Sequence, residues 1–558
     1  MEKPWLKSYE PQVPPEVEIP QRSLHSNLEE AARQFPAGTA LIYMNRKITY
    51  ANLDALVSKF AAALAQLGVR KGDRVALYLP NCPQYIIAYY AALKAGAIVV
   101  PCNSLYVARE LEHQLNDSGA ETIVVLSSFY KTIKSVREHT PLKHVIVTNI
   151  KEYFPPLLRA LFTVAKEKKD GHRVDISQDA DTFWFRDLLA SAPSRPPKVE
   201  VAPSDTACLL YTGGTTGVPK GAELTHANLM ANVAQTRAWV YDMVQGKEVI
   251  LAAIPLFHSY GMTTCMNLAM YTAGALILVP NPRDLKDVLH NIVRHKPTLY
   301  PGVPTMYVAI NNHANVAKYD LSSLRACISG AAGLPQEVQT RFQELTGARL
   351  VEGYGLTEAS PVTHVNPVYA GSRIGAIGLP YPSTEAKVVD LISGEALPVG
   401  EPGELAIRGP QVMKGYWNKP EETAAVLRDD WLYTGDIAKM DEDGYFQIVD
   451  RKKDMIIAGG FNIYPREVEE VLYQHPKILE AVVAGIPDAY RGETVKAYVV
   501  LREGETATEQ EVIEFCRARL ARYKVPRTVE FRQSLPKSMV GKILRRLLIE
   551  EEKGKTAG

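Results

Sequence analysis

The sequence predicts an α/β protein with a large N-terminal domain over 1–450, a β-rich submodule at about 375–450 and a smaller α+β domain over 451–558. Three observations carry this. Short apolar runs alternate with amphipathic stretches, the texture becomes rich in Gly and Pro near Gly375, and a charged break follows Asp450. A chain of 558 residues also exceeds what one hydrophobic core organises.

Taken in order, segment 51–67 places Leu53, Leu56, Phe60, Leu64 and Leu67 at helical spacing before Gly68 supplies a stop. The run 75–79 reads as a buried parallel strand and 84–95 as a second helix. Runs 122–126, 144–148, 249–254 and 275–279 continue the strand series. From Gly375 onward, Gly378, Pro380, Pro382, Pro398, Gly400, Pro402 and Gly403 cut the chain into the short segments of a small β-barrel or β-sandwich. Arg451-Lys452-Lys453-Asp454 separates two apolar runs and marks a hinge. Beyond it, 465–475 and 509–520 read as helices, and 481–486 and 495–501 as strands.

Charge and cysteine usage exclude several classes. With 63 basic and 62 acidic residues there is no global field to steer nucleic acid, so a charged substrate must be held by local groups. The six cysteines form no CxxC pair and read as reduced core residues, with no structural metal site. The N-terminus lacks an apolar h-region, and no run of about eighteen apolar residues occurs, so the expected location is cytoplasmic. The apolar stretch 153–165, followed by Lys166-Glu-Lys-Lys169, has two readings: a peripheral contact with the inner face of the membrane, or a helix packed on its own domain and limited by Pro155 and Pro156.

Residues 211–226, Tyr-Thr-Gly-Gly-Thr-Thr-Gly-Val-Pro-Lys-Gly-Ala-Glu-Leu-Thr-His, suit a polyphosphate. Gly213, Gly214 and Gly217 let backbone N–H groups converge on an anion; Thr212, Thr215 and Thr216 add hydroxyls and Lys220 a charge. This is not a Walker loop, because Val218 and Pro219 separate Gly217 from Lys220 and Gly221 follows. A second constellation, Val351-Glu352-Gly353-Tyr354-Gly355-Leu356-Thr357-Glu358, offers a ring for a purine and, in Glu358, a hard carboxylate for Mg²⁺. The third, Trp431-Leu-Tyr-Thr-Gly-Asp436 with Asp450-Arg451, puts a carboxylate and a guanidinium near a domain joint. The fourth, Leu535-Pro-Lys-Ser-Met-Val-Gly-Lys542, sets a lysine on a glycine-hinged loop near the C-terminus.

In this order the four segments resemble the core motifs of the adenylate-forming enzymes: acyl-CoA synthetases, firefly luciferase and the adenylation domains of peptide synthetases. Ile48-Thr-Tyr50-Ala-Asn-Leu and Gly72-Asp-Arg-Val-Ala-Leu-Tyr-Leu-Pro-Asn81 extend the resemblance over nearly the whole chain. Ala458-Gly-Gly-Phe-Asn-Ile-Tyr-Pro-Arg-Glu467 is most similar to bacterial long-chain fatty-acid–CoA ligases.

The resemblance implies a large domain of two α/β subdomains plus a small β-barrel, capped by a mobile α+β lid. The implied chemistry is attack of a carboxylate on the α-phosphate of MgATP, giving acyl-adenylate and pyrophosphate, then displacement of AMP by the thiol of coenzyme A. On the same resemblance, Thr212 to Lys220 hold the β- and γ-phosphates, and Gly330, Ala331 and Ala332 flank adenine with Tyr354 in the Glu352–Gly355 turn. Thr357 contacts the α-phosphate, Glu358 and Thr212 serve Mg²⁺, and Asp436 and Arg451 hold ribose. Lys542 is the adenylation catalyst, Lys453 the hinge, Gly459 and Gly460 the pantetheine channel, and His258 a gate at the acid site. Glu223 and Ala227 depart from the family pattern.

Gly355 stands where acetate-activating relatives carry tryptophan, which implies an open acyl tunnel; each buried methylene would add roughly 0.8 kcal/mol. A medium-chain or aryl acid ligase is the alternative enzyme, and a non-catalytic nucleotide or acyl-adenylate sensor the alternative of another class. A homodimer is the default assembly.

Overall fold

The computed structural model describes residues 2–212, 219–458, 461–488, 492–537 and 543–556. The predicted runs are strands of two large sheets. In the first, Arg74–Tyr78 lies at the centre between Ile98–Pro101 and Thr122–Leu126, and the sheet continues in parallel through His144–Thr148 to Thr182–Trp184. On its other flank Ile98–Pro101 pairs with Thr206–Thr212, which turns antiparallel into Lys220–Thr225 and ends on Gly415–Tyr416.

The second sheet joins Arg46–Thr49, Thr39–Tyr43, Ala275–Leu278 and Val249–Ala252. A parallel bridge through Leu299 carries it on to Ala326–Ser329 and Arg349–Gly355. The run at 249–254 ends as a strand at Ala252. Helix Pro83–Lys94 is buried along nearly its whole length, and its tyrosines reach the second sheet's connections: Tyr85 Oη donates to Leu256 O at 3.0 Å and Tyr90 Oη to Asn267 Oδ1 at 2.8 Å. Helix Tyr50–Gln66 packs beside it through Leu53, Phe60 and Leu64, together with Val57.

The Gly/Pro-rich region forms a five-stranded antiparallel sheet centred on Gly403–Arg408 and Trp431–Met440, interrupted by Gly415–Tyr416, which joins the first sheet, and by helix Pro420–Val426. After the charged break, Ile456–Ala458, Ile478–Asp488, Gly492–Leu501 and Thr528–Phe531 build a separate mixed sheet, packed by helices Pro465–Tyr473 and Glu509–Arg517 around Val468, Leu472, Val483, Ala497, Val512 and Cys516. All six cysteines are free and buried.

Helix Pro156–Ala165 is the exception to this burial. Leu157, Leu161 and Val164 are 74%, 59% and 90% exposed, and Phe162 alone turns inward, edge-on to Phe154 and His172. Among the described residues no helix is long and apolar enough to cross a membrane.

Candidate active site

Two of the sequence motifs meet where Arg349–Gly355 leaves its sheet. Tyr354 Oη donates to Asp436 Oδ2 at 2.5 Å, and Arg451 Nε lies 3.3 Å from Asp436 Oδ1. Asp436 and Arg451 face each other across the antiparallel pair Trp431–Met440 and Phe446–Arg451. Gly435, at φ +72° within strand Trp431–Met440, sits at an irregularity in its pairing just before Asp436, a conformation that favours glycine. Burial and the Asp436 charge raise the Tyr354 phenol well above its ordinary range, so it remains a donor.

The turn Thr357–Ala359 follows directly. Thr357 Oγ1 lies 3.4 Å from Ser259 Oγ, which brings the His258 segment to the same place. His258 caps the short helix Ser259–Gly261, its Nδ1 accepting the Tyr260 N–H at 3.2 Å. Tyr260 donates to Ile328 O at 2.6 Å, and its ring sits under Gly330, where an added Cβ would come within 3.1 Å.

Beyond Gly330 the chain turns through Ala331 at φ +68° and Ala332 to Leu334, whose N–H donates to Glu352 Oε2 at 3.0 Å. Arg466, from helix Pro465–Tyr473 of the C-terminal region, lies over this loop; a Cβ on Gly333 would come 2.6 Å from its Nη2. Burial pushes the Glu352 carboxyl up to about 7 against the opposing charge of Arg466.

At the opposite end, Thr212 closes its strand in register with Lys220. Gly213, Gly214, Thr215, Thr216 and Gly217 lie outside the described residues, as do Gly459, Gly460 and Lys542. The Lys220 ammonium is paired with Glu422 and lies 5.3 Å from the centre of the Tyr416 ring. Tyr416 Oη in turn donates to Glu358 Oε1 at 2.8 Å. Lys453 is exposed in the turn after Phe446–Arg451. Past Lys542, Arg545 fastens helix Arg545–Thr556 to the turn after Phe446–Arg451 and to helix Pro465–Tyr473, with Nη1 2.6 Å from Asp454 Oδ2 and Nη2 2.7 Å from Glu469 Oε1.

Two sequence readings change with this geometry. A Cβ on Gly355 would lie 2.2 Å from Pro361 O, so the glycine is demanded by the neighbouring backbone as well as by any space beyond it. Glu223 has a structural purpose: it accepts from Thr206 Oγ1 at 2.5 Å and Lys414 Nζ at 2.8 Å, holding Gly415–Tyr416 to the sheet. Tyr416, Glu422 and Arg466 escaped sequence reasoning because their partners are distant in sequence, so no local spacing signals them.

Residues 28–417 match the AMP-binding enzyme family, and residues 467–542 match its C-terminal domain. The chain is 48% identical to a long-chain-fatty-acid–CoA ligase of Bacillus subtilis (strain 168), over 99% of this chain and 98% of that one. It is 44% identical to a ligase of the same description from Escherichia coli O157:H7, over 100% and 99%. Among solved structures, an anthranilate CoA ligase in complex with anthranoyl-AMP superposes with a TM-score of 0.84 at 29% identity, over 96% of this chain and 98% of that one. The motifs and the site they build therefore have a single source: the chain belongs to the AMP-binding enzyme family.

Proposed function

We infer that this protein is an AMP-forming long-chain fatty-acid–CoA ligase, using ATP, Mg²⁺ and coenzyme A. The observation that carries the reading is the convergence of Tyr354 with Asp436 and Arg451 from two separate motifs, with the His258 segment at Thr357 and Tyr416 linking Glu358 to Lys220. Such an arrangement contains no nucleophilic triad; it positions reactants and stabilises charge, which is what adenylation requires. The long-chain assignment rests on the full-length similarity to ligases of that description.

In this reading Asp436 and Arg451 hold the ribose, and Gly330–Ala332 with Tyr354 enclose adenine, with Glu352 at its edge. Thr212, Lys220 and the loop between them hold the phosphates, and Thr357 meets the α-phosphate. Lys542 bridges the reacting carboxylate and phosphate oxygens, while His258 gates the acid. Among the described residues no three His, Cys, Asp or Glu side chains gather as a metal cage. That fits Mg²⁺ bound through one carboxylate, Glu358, with a threonine such as Thr212, substrate phosphate and water completing its shell. The ion would neutralise phosphate charge. For the second half-reaction the domain beyond Asp450 rotates about Lys453 and brings Gly459 and Gly460 to the pantetheine arm.

The finer reading of location is peripheral membrane contact through helix Pro156–Ala165. Its exposed Leu157, Leu161 and Val164, flanked by Arg159, Lys166, Lys168 and Lys169, suit an anionic bilayer that supplies fatty acid. A homodimer is retained as the default assembly, read by sedimentation.

The direct test is AMP formation with MgATP and coenzyme A across acetate, benzoate, cinnamate, octanoate, palmitate and oleate, with Lys542→Ala alongside. Preference for palmitate or oleate, lost in the variant, is expected. Preference for cinnamate or benzoate would move the enzyme to the aryl ligases, and no turnover on any acid would make it a sensor.

A further inference from the structure

Segment Gly415–Val426 touches both charged groups assigned above to MgATP. Tyr416 Oη holds Glu358 Oε1 at 2.8 Å, and Glu422 holds Lys220. The segment is itself firmly placed. Gly415 and Tyr416 pair with Glu223 and Ala222, the Tyr416 N–H donates to Thr423 Oγ1 at 2.9 Å, and the Trp417 N–H donates to Gly221 O at 2.8 Å. Glu422 thus stands in the first turn of helix Pro420–Val426, where an acidic side chain is favoured, at a fixed distance from the strand that starts with Lys220.

The two ends of this segment differ in burial, and the difference decides what each can do. Tyr416 is partly buried, and burial with the nearby Glu358 carboxylate raises its phenol, so it stays a donor to Glu358. The Glu422 side chain is 49% exposed and that of Lys220 28% exposed. An ion pair at the solvent boundary is weak, and a polyphosphate carrying several negative oxygens outcompetes a single carboxylate for the same ammonium.

We propose that Glu422 is a positioning residue that holds the Lys220 ammonium until the β- and γ-phosphates of ATP take it, and takes it back as pyrophosphate leaves. This rests on the reading of Lys220 as the phosphate lysine. No bond is made or broken; Lys220 exchanges one anionic partner for another, and the freed Glu422 carboxylate is rehydrated. While the phosphates are bound, that carboxylate repels them, so its charge weakens ATP and pyrophosphate equally and leaves AMP, which lacks both phosphates, untouched.

Calorimetric titration of the full chain without fatty acid, using MgATP, Mg-pyrophosphate and AMP in turn, tests this. Glu422→Gln should tighten ATP and pyrophosphate by about two- to fivefold, the range expected for removing a boundary ion pair, with AMP unchanged. Glu422→Ala should act in the same direction, with an unchanged Tm as the folding control. In Lys220→Gln, ATP should weaken, and adding Glu422→Gln should then tighten it by less than in the parent background, because the competition for the ammonium is gone and only the direct repulsion remains. If Lys220→Gln leaves ATP affinity unchanged, the phosphate-lysine reading fails and the proposal with it. If Lys220→Gln weakens ATP while Glu422→Gln leaves it unchanged or weaker, the exchange role of Glu422 alone is overturned.

Discussion

Tyr354 donates its phenolic hydrogen to Asp436 across 82 residues of chain, at 2.5 Å, and so ties the turn proposed to flank adenine to the carboxylate proposed to grip ribose. Asp436 is only 8% exposed and has Arg451 on its other oxygen. Removing its charge while keeping its shape leaves one neutral carbonyl oxygen where Arg451 and Tyr354 each had a carboxylate oxygen. Asp436→Asn should therefore raise the Kd for ATP by about ten- to a hundredfold, since a hydrogen bond to a charged group contributes about 1.5–3 kcal/mol. Tyr354→Phe keeps the ring and loses only the tie, and its effect should be the smaller. Equal Kd values for Asp436→Asn and the parent protein, by titration with ATP, would remove Asp436 from the ribose site.

Glu352 gives the site a pH signature. Its carboxyl is raised from the ordinary range to about 7, chiefly by burial, while Arg466 and the Leu334 N–H pull the other way and Glu470 adds to the rise. A carboxyl raised on folding binds its proton more tightly in the native state, so its contribution to stability is full below the unfolded value near 4.5 and is lost as pH climbs to about 7. Glu352→Gln is neutral throughout and retains an oxygen for the Leu334 N–H. The stability difference between variant and parent should thus move in favour of the variant from pH 4.5 to 7, by on the order of 3 kcal/mol, and then level off. Urea unfolding at a series of pH values reads it directly; a difference independent of pH would mean the carboxylate is ionised in the fold.

Much of this was legible in the sequence. The runs at 122–126 and 144–148 are strands over the same residues, because continuous apolar segments bounded by turns have few ways to be buried except between helices in a parallel sheet. The family motifs were legible because segments such as 351–358 carry particular residue types at particular spacing, and the structure brings Tyr354 of that segment to Asp436. Tyr416, Glu422 and Arg466 were not, since an ordinary tyrosine, glutamate or arginine acquires its meaning only when the sheet brings Gly415–Tyr416 against Lys220–Thr225, or when the C-terminal helix docks on Gly333. Glu223 looked like an unexplained departure for the same reason: Lys414, its partner, is 191 residues away.

Gly355 makes a prediction that separates backbone demand from pocket shape. Its Cβ would meet Pro361 O at 2.2 Å and Pro361 C at 2.8 Å, and neither atom can rotate away as a side chain would. Gly355→Ala should destabilise the fold by about 1–3 kcal/mol, the usual penalty for overpacking, and lower activity on every acid together. Were the glycine needed only to keep a tunnel open, the same substitution would spare Tm and shift preference toward shorter acids. Thermal unfolding beside an activity series from octanoate to oleate distinguishes the two.

The exposed helix Pro156–Ala165 supports the last prediction. Adhesion to a bilayer scales with the apolar area buried plus the attraction of basic residues to anionic lipid, and this short helix offers both. Leu157, Leu161 and Val164 share that exposed face, whereas Phe162 packs inward and should be left intact. The triple variant Leu157→Ser, Leu161→Ser, Val164→Ser removes the apolar contact without touching the core. It should lose sedimentation with vesicles containing anionic lipid, retain its Tm, and keep its rate on octanoate, which is soluble enough to arrive through water. Its rate on oleate presented in vesicles should fall. Parent protein that fails to sediment with such vesicles would leave the helix without a bilayer partner, and a triple variant that still sediments would place the contact elsewhere on the surface.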